Sequence, residues 1–253
     1  MLLAIDTCGA VGGVALGEFS GSVSAAARVG LGDPAERDLP PSQATEITIL
    51  AERELAGKTF SERLLATIAE MLRDFDAEPA QLRGIAVVHG PGSFTGIRIG
   101  VSAAKGLAEG LDIPVVALSR LQLLARPATG GSAVSALDAG RGEFYVGLYR
   151  NGIPEAEVLL DRDSLGRAVG GSGLPLLVCE ERLMAGLAEF APRLVPAPSA
   201  AAALRLGAER FRAGIFDDAA ALDANYLRRS ETEMLARIAE HAALRSAVAS
   251  SAE

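Results

Sequence analysis

Ala4-Ile5-Asp6-Thr7-Cys8-Gly9-Ala10 and, 132 positions on, Ala136-Leu137-Asp138-Ala139-Gly140 open two stretches of the same kind. In each, a short apolar run (residues 2–5, residues 133–137) stops at an aspartate, a tight turn follows, and a second apolar run returns (residues 13–16, residues 144–149). On that offset Val14 falls on Val146 and Leu16 on Leu148. Aspartate favours turns and hairpins are common, so coincidence is one reading. A duplicated domain with two Asp-ended hairpins is the other.

The segments between and after these hairpins read as an α/β chain with partly parallel pairing. Residues 46–55 alternate well enough for a third strand, with Ile47, Ile49 and Ala51 on one face. Thr59-x-x-Glu62 has the form of a capping box, and Leu64, Leu65, Ile68, Met71, Leu72 and Phe75 recur at helical spacing, which predicts a helix over 61–75. Residues 84–89 and 114–118 read as buried strands, 97–111 as a helix and 121–125 as a short one. Residues 127–132 look like a linker. Residues 28–45, rich in Gly and Pro, read as a loop or insertion. In the second half, 176–178 is a strand, Ser199 caps a helix over 200–213, and 222–227 returns to the body. Met234, Leu235, Ile238 and Ala242 permit a helix in the last stretch, whose end is expected to fray.

The chain has 253 residues, enough to bury roughly three quarters of the surface its unfolded form exposes. Hydrophobic residues at 49% and charged residues at 22% exclude a disordered or fibrous chain. The net charge of −8 argues against holding nucleic acid alone through a broad basic face, but leaves RNA work beside a basic partner open. Cys8 and Cys179 cannot make a disulfide framework or a four-cysteine zinc site, and both sit in apolar stretches. The first residues lack a basic start, so no export signal is expected. No apolar run is long enough to span a membrane, and the cytoplasm is the expected compartment.

The densest motif is His89-Gly90-Pro91-Gly92-Ser93-Phe94-Thr95-Gly96-Ile97-Arg98-Ile99-Gly100, between a strand and a helix. Glycines and hydroxyls before a helix N-terminus make anion-binding geometry. The sequence nevertheless lacks the lysine of a P-loop and the third glycine of a dinucleotide fingerprint. The plainer reading is that these glycines serve a tight turn and close packing. The helix that follows is apolar or small nearly all round: Ile97, Val101, Ala104, Ala108 and Leu111 form a seam, and Gly100, Ala103 and Gly106 are small. One face is needed for the parent sheet, which leaves a second for another chain.

Ala4-Ile5-Asp6-Thr7, the run 90–100, Ala136-Leu137-Asp138-Ala139 with Gly142-Glu143-Phe144-Tyr145, and Tyr226-Leu227-Arg228 together resemble the TsaB (YeaZ) family. The resemblance implies an α/β actin-like/Hsp70-like (ASKHA) fold of two duplicated subdomains, mixed sheets flanked by helices. The expected division is 1–126 and 127–230, a C-terminal helix being free to pack back on the first subdomain, with a tail over 231–253. It implies a non-catalytic scaffold for N6-threonylcarbamoyladenosine formation on tRNA. Its expected partners are a TsaD-like paralogue, which transfers the threonylcarbamoyl group, and a TsaE-like ATPase. A homodimer is expected when the chain is alone, and tRNA is met only through the complex. The chain departs from the family in having Phe60 where His often precedes Ser-Glu and Ala66 where Pro is common.

These readings assign Leu64, Leu65, Ile68, Leu72, Ile97, Val101 and Ala104 to a partner interface. They assign Asp6, Thr7, Gly90, Gly92, Ser93, Thr95, Gly96 and Asp138 to a vestigial nucleotide or phosphate site. No metal, no resident cofactor and at most weak ATP or ADP binding are expected. Two histidines, His89 and His241, 152 positions apart, and no H-E-x-x-H argue against a metal transferase or zinc peptidase. A cysteine hydrolase would need a histidine placed beside Cys8 or Cys179. The rival is a nucleotide-dependent kinase or ATPase of the same fold, with Asp6 and Asp138 on magnesium-bound water. Thr7-Cys8-Gly9-Ala10-Val11 lacks the basic residue that rival requires.

Overall fold

The computed structural model describes residues 1–19, 47–56, 59–227, 232, 234–236 and 238–240. The insertion expected over 28–45, Arg228, His241, Ala242 and the end of the tail lie outside the described residues.

Chain contacts divide the molecule into two units. Unit 1 holds Met1–Leu123 and Pro198–Asn225, and its sheet is made of β1 (Leu2–Asp6), β2 (Val11–Phe19), β3 (Ile47–Ala56), β4 (Ile85–Gly90) and β5 (Val115–Ser119). The order is β3-β2-β1-β4-β5; β1 runs antiparallel to β2 and parallel to β4. The central β1 is buried at every residue, which is why it reads as an unbroken apolar run. Helices α1 (Phe60–Asp74) and α2 (Phe94–Leu111) pack on this sheet, and α3 (Arg120–Ala125) follows β5.

Unit 2 holds Leu124–Ala197 and the described residues from Tyr226 on. Its strands are β6 (Ala133–Gly140), β7 (Glu143–Arg150), β8 (Ile153–Asp161), β9 (Leu176–Val178) and β10 (Arg193–Leu194), with α4 (Arg162–Ser172) and α5 (Glu181–Gly186). The order β10-β9-β6-β7-β8 repeats that of unit 1, with β6 antiparallel to β7 and parallel to β9. The duplicated actin-like arrangement is therefore written in the strand order itself.

The register corrects the simple offset between the halves. Asp6 pairs with Gly13, seven positions on, whereas Asp138 pairs with Phe144, six positions on. Ala4 faces Ala15 and Ala136 faces Val146, so Val146 is the counterpart of Ala15 and not of Val14. The second turn is one residue shorter.

The expected division at 126/127 lies three residues from the first crossing between the units, at Leu123, and the same expectation leaves a C-terminal helix free to pack back on the first subdomain. Helix α6 (Ala200–Arg212), capped by Ser199 accepting from the Ala202 amide, belongs to unit 1. It lies on the sheet face opposite α1: an added Cβ on Gly12 would strike Phe60 of α1, while one on the next residue, Gly13, would reach Ala200 of α6. The approach is close, since a Cβ on Gly84 would sit 2.2 Å from the Phe211 ring and one on Gly207 2.5 Å from the Ala86 Cβ. Polar ties fix its register: the Ala201 amide donates to Glu52 Oε1 at 2.7 Å, and Arg210 Nη1 donates to the Ala117 carbonyl at 2.8 Å. In unit 2, Met234 and Ile238, helical and buried, join α4's Leu165 and Ala168 on the one sheet face that carries Val134, Val146, Val158 and Leu176.

Thr59 departs from its expected role. It stands at the N-cap of α1 without a side-chain cap bond, and its hydroxyl donates instead to the Ala56 carbonyl at 2.9 Å. Truncating the buried aromatic of α6, Phe211→Ala, is expected to cost about 3–5 kcal/mol. Hydrogen exchange should then show β1 and β4 amides opening more readily, with β6 and β7 amides unchanged.

Candidate functional site

β1 and β4 are parallel neighbours, so the turn after Asp6 and the loop after Gly90 emerge at the same sheet edge. In open α/β sheets this carboxyl-end edge is where ligands bind. Here the two loops are joined to each other. The Ser93 amide donates to the Cys8 carbonyl at 2.8 Å, and the Thr7 hydroxyl donates to the Gly96 carbonyl at 2.7 Å. The Cys8 thiol donates to the Val88 carbonyl, and the Cys8 amide donates to Asp6 Oδ1 at 2.9 Å. Ser93 caps α2, its hydroxyl accepting from the Gly96 amide. That cap starts the helix at Phe94, three residues before the start the sequence suggested.

The glycines of the motif serve this junction. A Cβ on Gly92 would lie 2.3 Å from the Cys8 carbonyl oxygen and one on Gly96 2.0 Å from that of Thr7. One on Gly100 would strike the Thr7 hydroxyl at 2.2 Å. Gly90, at φ 121°, takes a backbone conformation that L side chains rarely adopt, beside Asn225. Close approach of α2 to the end of β1 explains Gly92, Gly96 and Gly100 without a phosphate.

Asp6 is 3% exposed. Burial pushes its carboxyl above the ordinary value, opposed by the Arg120 guanidinium and the Cys8 amide. Arg120 opens α3, and its guanidinium lies against Gly9, where an added Cβ would meet Nη2 at 2.9 Å. Nothing local in the sequence marked Arg120, because its place depends on β5 lying beside β4. The Cys8 thiol is pushed well above its usual range, by burial first and by Asp6 second. His89 Nδ1 faces the Asp223 carbonyl at 3.2 Å. A thiol so raised and already donating to a carbonyl is a poor nucleophile.

Seven of the eight residues assigned to a phosphate site, Asp6, Thr7, Gly90, Gly92, Ser93, Thr95 and Gly96, thus gather at one edge of unit 1. Asp138 ends the matching strand of unit 2, where its Oδ1 accepts from the Gly140 amide at 2.7 Å and its Oδ2 meets Arg182 at 2.9 Å. Each aspartate accepts an amide two residues ahead and so closes its hairpin turn.

The interface assignment needs correction. Leu64, Ile68, Leu72, Ile97, Val101 and Ala104 are buried in the core of unit 1. Their seam is the face that covers the sheet, so these six side chains are not available to a partner. Of the seven, Leu65 is exposed, at 59%. The outward side of the two helices also carries Phe94, 56% exposed with the Arg98 guanidinium 3.8 Å over its ring, and the small exposed residues Ser102 and Gly106.

Residues 49–252 match the family model described as TsaD, tRNA N6-adenosine threonylcarbamoyltransferase. The tRNA threonylcarbamoyladenosine biosynthesis protein TsaB of Bacillus subtilis (strain 168) is 43% identical over 120 residues, 45% of this chain and 52% of that one. Its namesake in Escherichia coli (strain K12) is 35% identical over 117 residues, 44% of this chain and 51% of the relative. The chain spans about half the length of these curated relatives. Among solved structures, YeaZ from Pseudomonas aeruginosa superposes with a TM-score of 0.62 at 24% identity, covering 89% of this chain and 99% of that one. A protein with similarity to peptidase YEAZ from the same organism gives a TM-score of 0.64 at 23% identity, over 90% and 99%. Among the described residues no three His, Cys, Asp or Glu side chains cluster as a metal site, and no helix is long and apolar enough to cross a membrane.

Gly96→Ala should destabilise the chain by on the order of 2 kcal/mol, because the helix must move off the Thr7 carbonyl. Gly106→Ala, where a Cβ meets nothing within 4 Å, should instead stabilise it by about 0.5–1 kcal/mol. Chemical denaturation of both variants measures the contrast. Asp6 sets a pH dependence of definite sign. Its raised carboxyl is protonated more readily in the folded state, so its contribution is full below the unfolded carboxylate value and is lost as pH rises through the folded value. Asp6→Asn keeps an acceptor for the Cys8 amide and should flatten that slope in denaturation midpoints taken from about pH 4 to about pH 7.

Proposed function

Since the chain belongs to the TsaB (YeaZ) family, within the group its family model describes as tRNA N6-adenosine threonylcarbamoyltransferase, we propose that it is the non-catalytic scaffold subunit for that tRNA modification. A TsaD-like paralogue is its main partner and performs the transfer, and a TsaE-like ATPase joins the pair. The chain meets tRNA through the complex, pairs with a second copy when alone, and works in the cytoplasm. Its negative charge fits a subunit that leaves the polyanion to others.

The observation that carries this reading is the state of the loop after β4. Its Ser93 and Gly96 amides bond the chain's own oxygens, and its close-packed glycines admit α2 to the end of β1. An edge built to hold phosphates would keep such donors turned toward the ligand. The docking surface is the outward side of α1 and α2, centred on Leu65 and Phe94 and not on the buried seam. Burying such side chains is worth about 1.5–3 kcal/mol each, offset in part by the cost of association.

Reconstitution tests the proposal. The purified chain should leave tRNA unmodified, and adding the paralogue and the ATPase should yield threonylcarbamoyladenosine in nucleoside analysis. Leu65→Glu and Phe94→Glu should each weaken pairing at least about tenfold, a loss of about 1.4 kcal/mol, with the melting temperature unchanged. Robust ATP turnover by the lone chain, lost in Asp6→Ala, would overturn the proposal in favour of a kinase or ATPase of the same fold.

A further inference from the structure

Beyond α6 the chain runs along unit 1 without regular secondary structure until it leaves for unit 2 after Asn225. Residues 217–225 are held there by four sets of polar contacts. The Asp217 amide donates to the Val115 carbonyl at 2.9 Å, and Asp217 Oδ2 accepts from the Ala117 amide at 2.8 Å. Lys105 Nζ on α2 donates to the carbonyls of Ala220 and Leu222, at 2.9 and 3.1 Å. His89 Nδ1 meets the Asp223 carbonyl, which requires the ring proton on that nitrogen because a carbonyl only accepts. The Asn225 amide donates to the His89 carbonyl at 2.8 Å.

Against these, the segment buries little. Leu222 is buried, while Asp218, Ala220, Ala221 and Asp223 are exposed. Three bonds lie inside the segment itself: the Leu222 amide donates to the Asp218 carbonyl, the Ala220 amide to Asp218 Oδ1 and the Ala224 amide to Asp223 Oδ1. Such a piece keeps its own turn when its outer contacts break. What it covers matters. β5 is the outer strand of its sheet, and Asp217 satisfies two groups on its open edge. At the other end Asn225 holds His89, the residue before the glycine loop that starts α2.

We propose that residues 217–225 form a latch that opens as one piece while the sheet of unit 1 stays folded, uncovering the edge of β5 and freeing the ring and carbonyl of His89 at the end of β4. Local opening of this kind is characteristic of segments with few buried apolar contacts and exposed polar ones. The latch couples the chain crossing after Asn225 to the end of β4 through His89. It rests on contacts within unit 1 and stands whatever the chain's partners are.

Native-state hydrogen exchange on the full chain tests it. The Asp217, Asn225 and Ala117 amides, which bridge latch and body, should exchange at least about tenfold faster than the Ile5 and Val87 amides, with little dependence on denaturant. Lys105→Met keeps the stem and removes the donors. It should speed the three bridging amides by a further factor of about ten and leave Ile5 and Val87 unchanged. Exchange of the bridging amides only through the same strongly denaturant-dependent opening as Ile5 would overturn the latch. So would a Lys105→Met variant that speeds core and latch alike. If that variant does not fold, the denaturant series on the unaltered chain decides alone.

Discussion

The junction between the end of β1 and the loop that leads into α2 is the constraint from which much else follows. Two backbone-directed bonds, Ser93 amide to Cys8 carbonyl and Thr7 hydroxyl to Gly96 carbonyl, hold the two loops within van der Waals distance. They form because α2 rides closer to the sheet than any side chain at 92, 96 or 100 would allow. With α2 fixed at that depth, its apolar seam from Ile97 to Ala108 meets the strands, and its other side is turned outward with Phe94. Asp6 lies between Ile5 and Thr7, whose side chains meet α2, so its carboxyl is on the other side of the strand; buried there, it costs free energy when ionised and draws part of its compensation from Arg120. The depth of α2 and the surface it exposes share one steric cause.

The two units solve the same topological problem with different closures. Each has a central strand flanked by an antiparallel pair on one side and a parallel pair on the other. Such a mixed sheet has two apolar faces and needs helices on both. Unit 1 uses α1 and α2 on one face and takes α6 from beyond unit 2 for the other. In unit 2, α4 and the turn of helix at Met234 and Ile238 share a single face, the one that carries Val134, Val146 and Leu176. The chain therefore passes between the units three times, at Leu123, Ala197 and Asn225. A duplication interleaved in this way cannot be cut cleanly at one linker: the Gly-rich stretch near residue 130 marks only the first of the three crossings, within a few residues of Leu123.

Strands and helices with strong periodicity were legible: β1, β4, β5 and α1 fall close to where alternation and helical spacing place them. Weakly patterned elements were not. α4 carries Gly166, Gly170 and Gly171, whose low helix propensity hides it, and β10 is two residues long. The glycine loop concealed the first turn of α2, because Gly96 reads as turn and serves as a packing position inside the helix. At the candidate site the gathering of Asp6, Thr7 and the 90–96 loop was readable from motifs alone. Its chemistry was not, since whether a glycine frees an amide or admits a neighbour depends on what lies within a few ångströms of its absent Cβ.

The buried seam shows the same limit in another form. An apolar helix side has no label stating which surface it meets, and a sheet and a partner chain ask for the same residue types. Burial separates them: Leu64, Ile68 and Val101 are consumed by their own sheet, leaving Leu65 and Phe94 on the outside. A large aromatic held half in water, with an arginine stacked over one ring face, costs the isolated chain hydrophobic free energy that a contact would recover. About two and three turns further along α2 stand the small exposed residues Ser102 and Gly106, which would let another helix come near without a clash. The internal glycines and the external ones thus do the same physical job on opposite sides of one helix. Those facing inward set its depth on the sheet, and Gly106, facing outward, has open space where its Cβ would be.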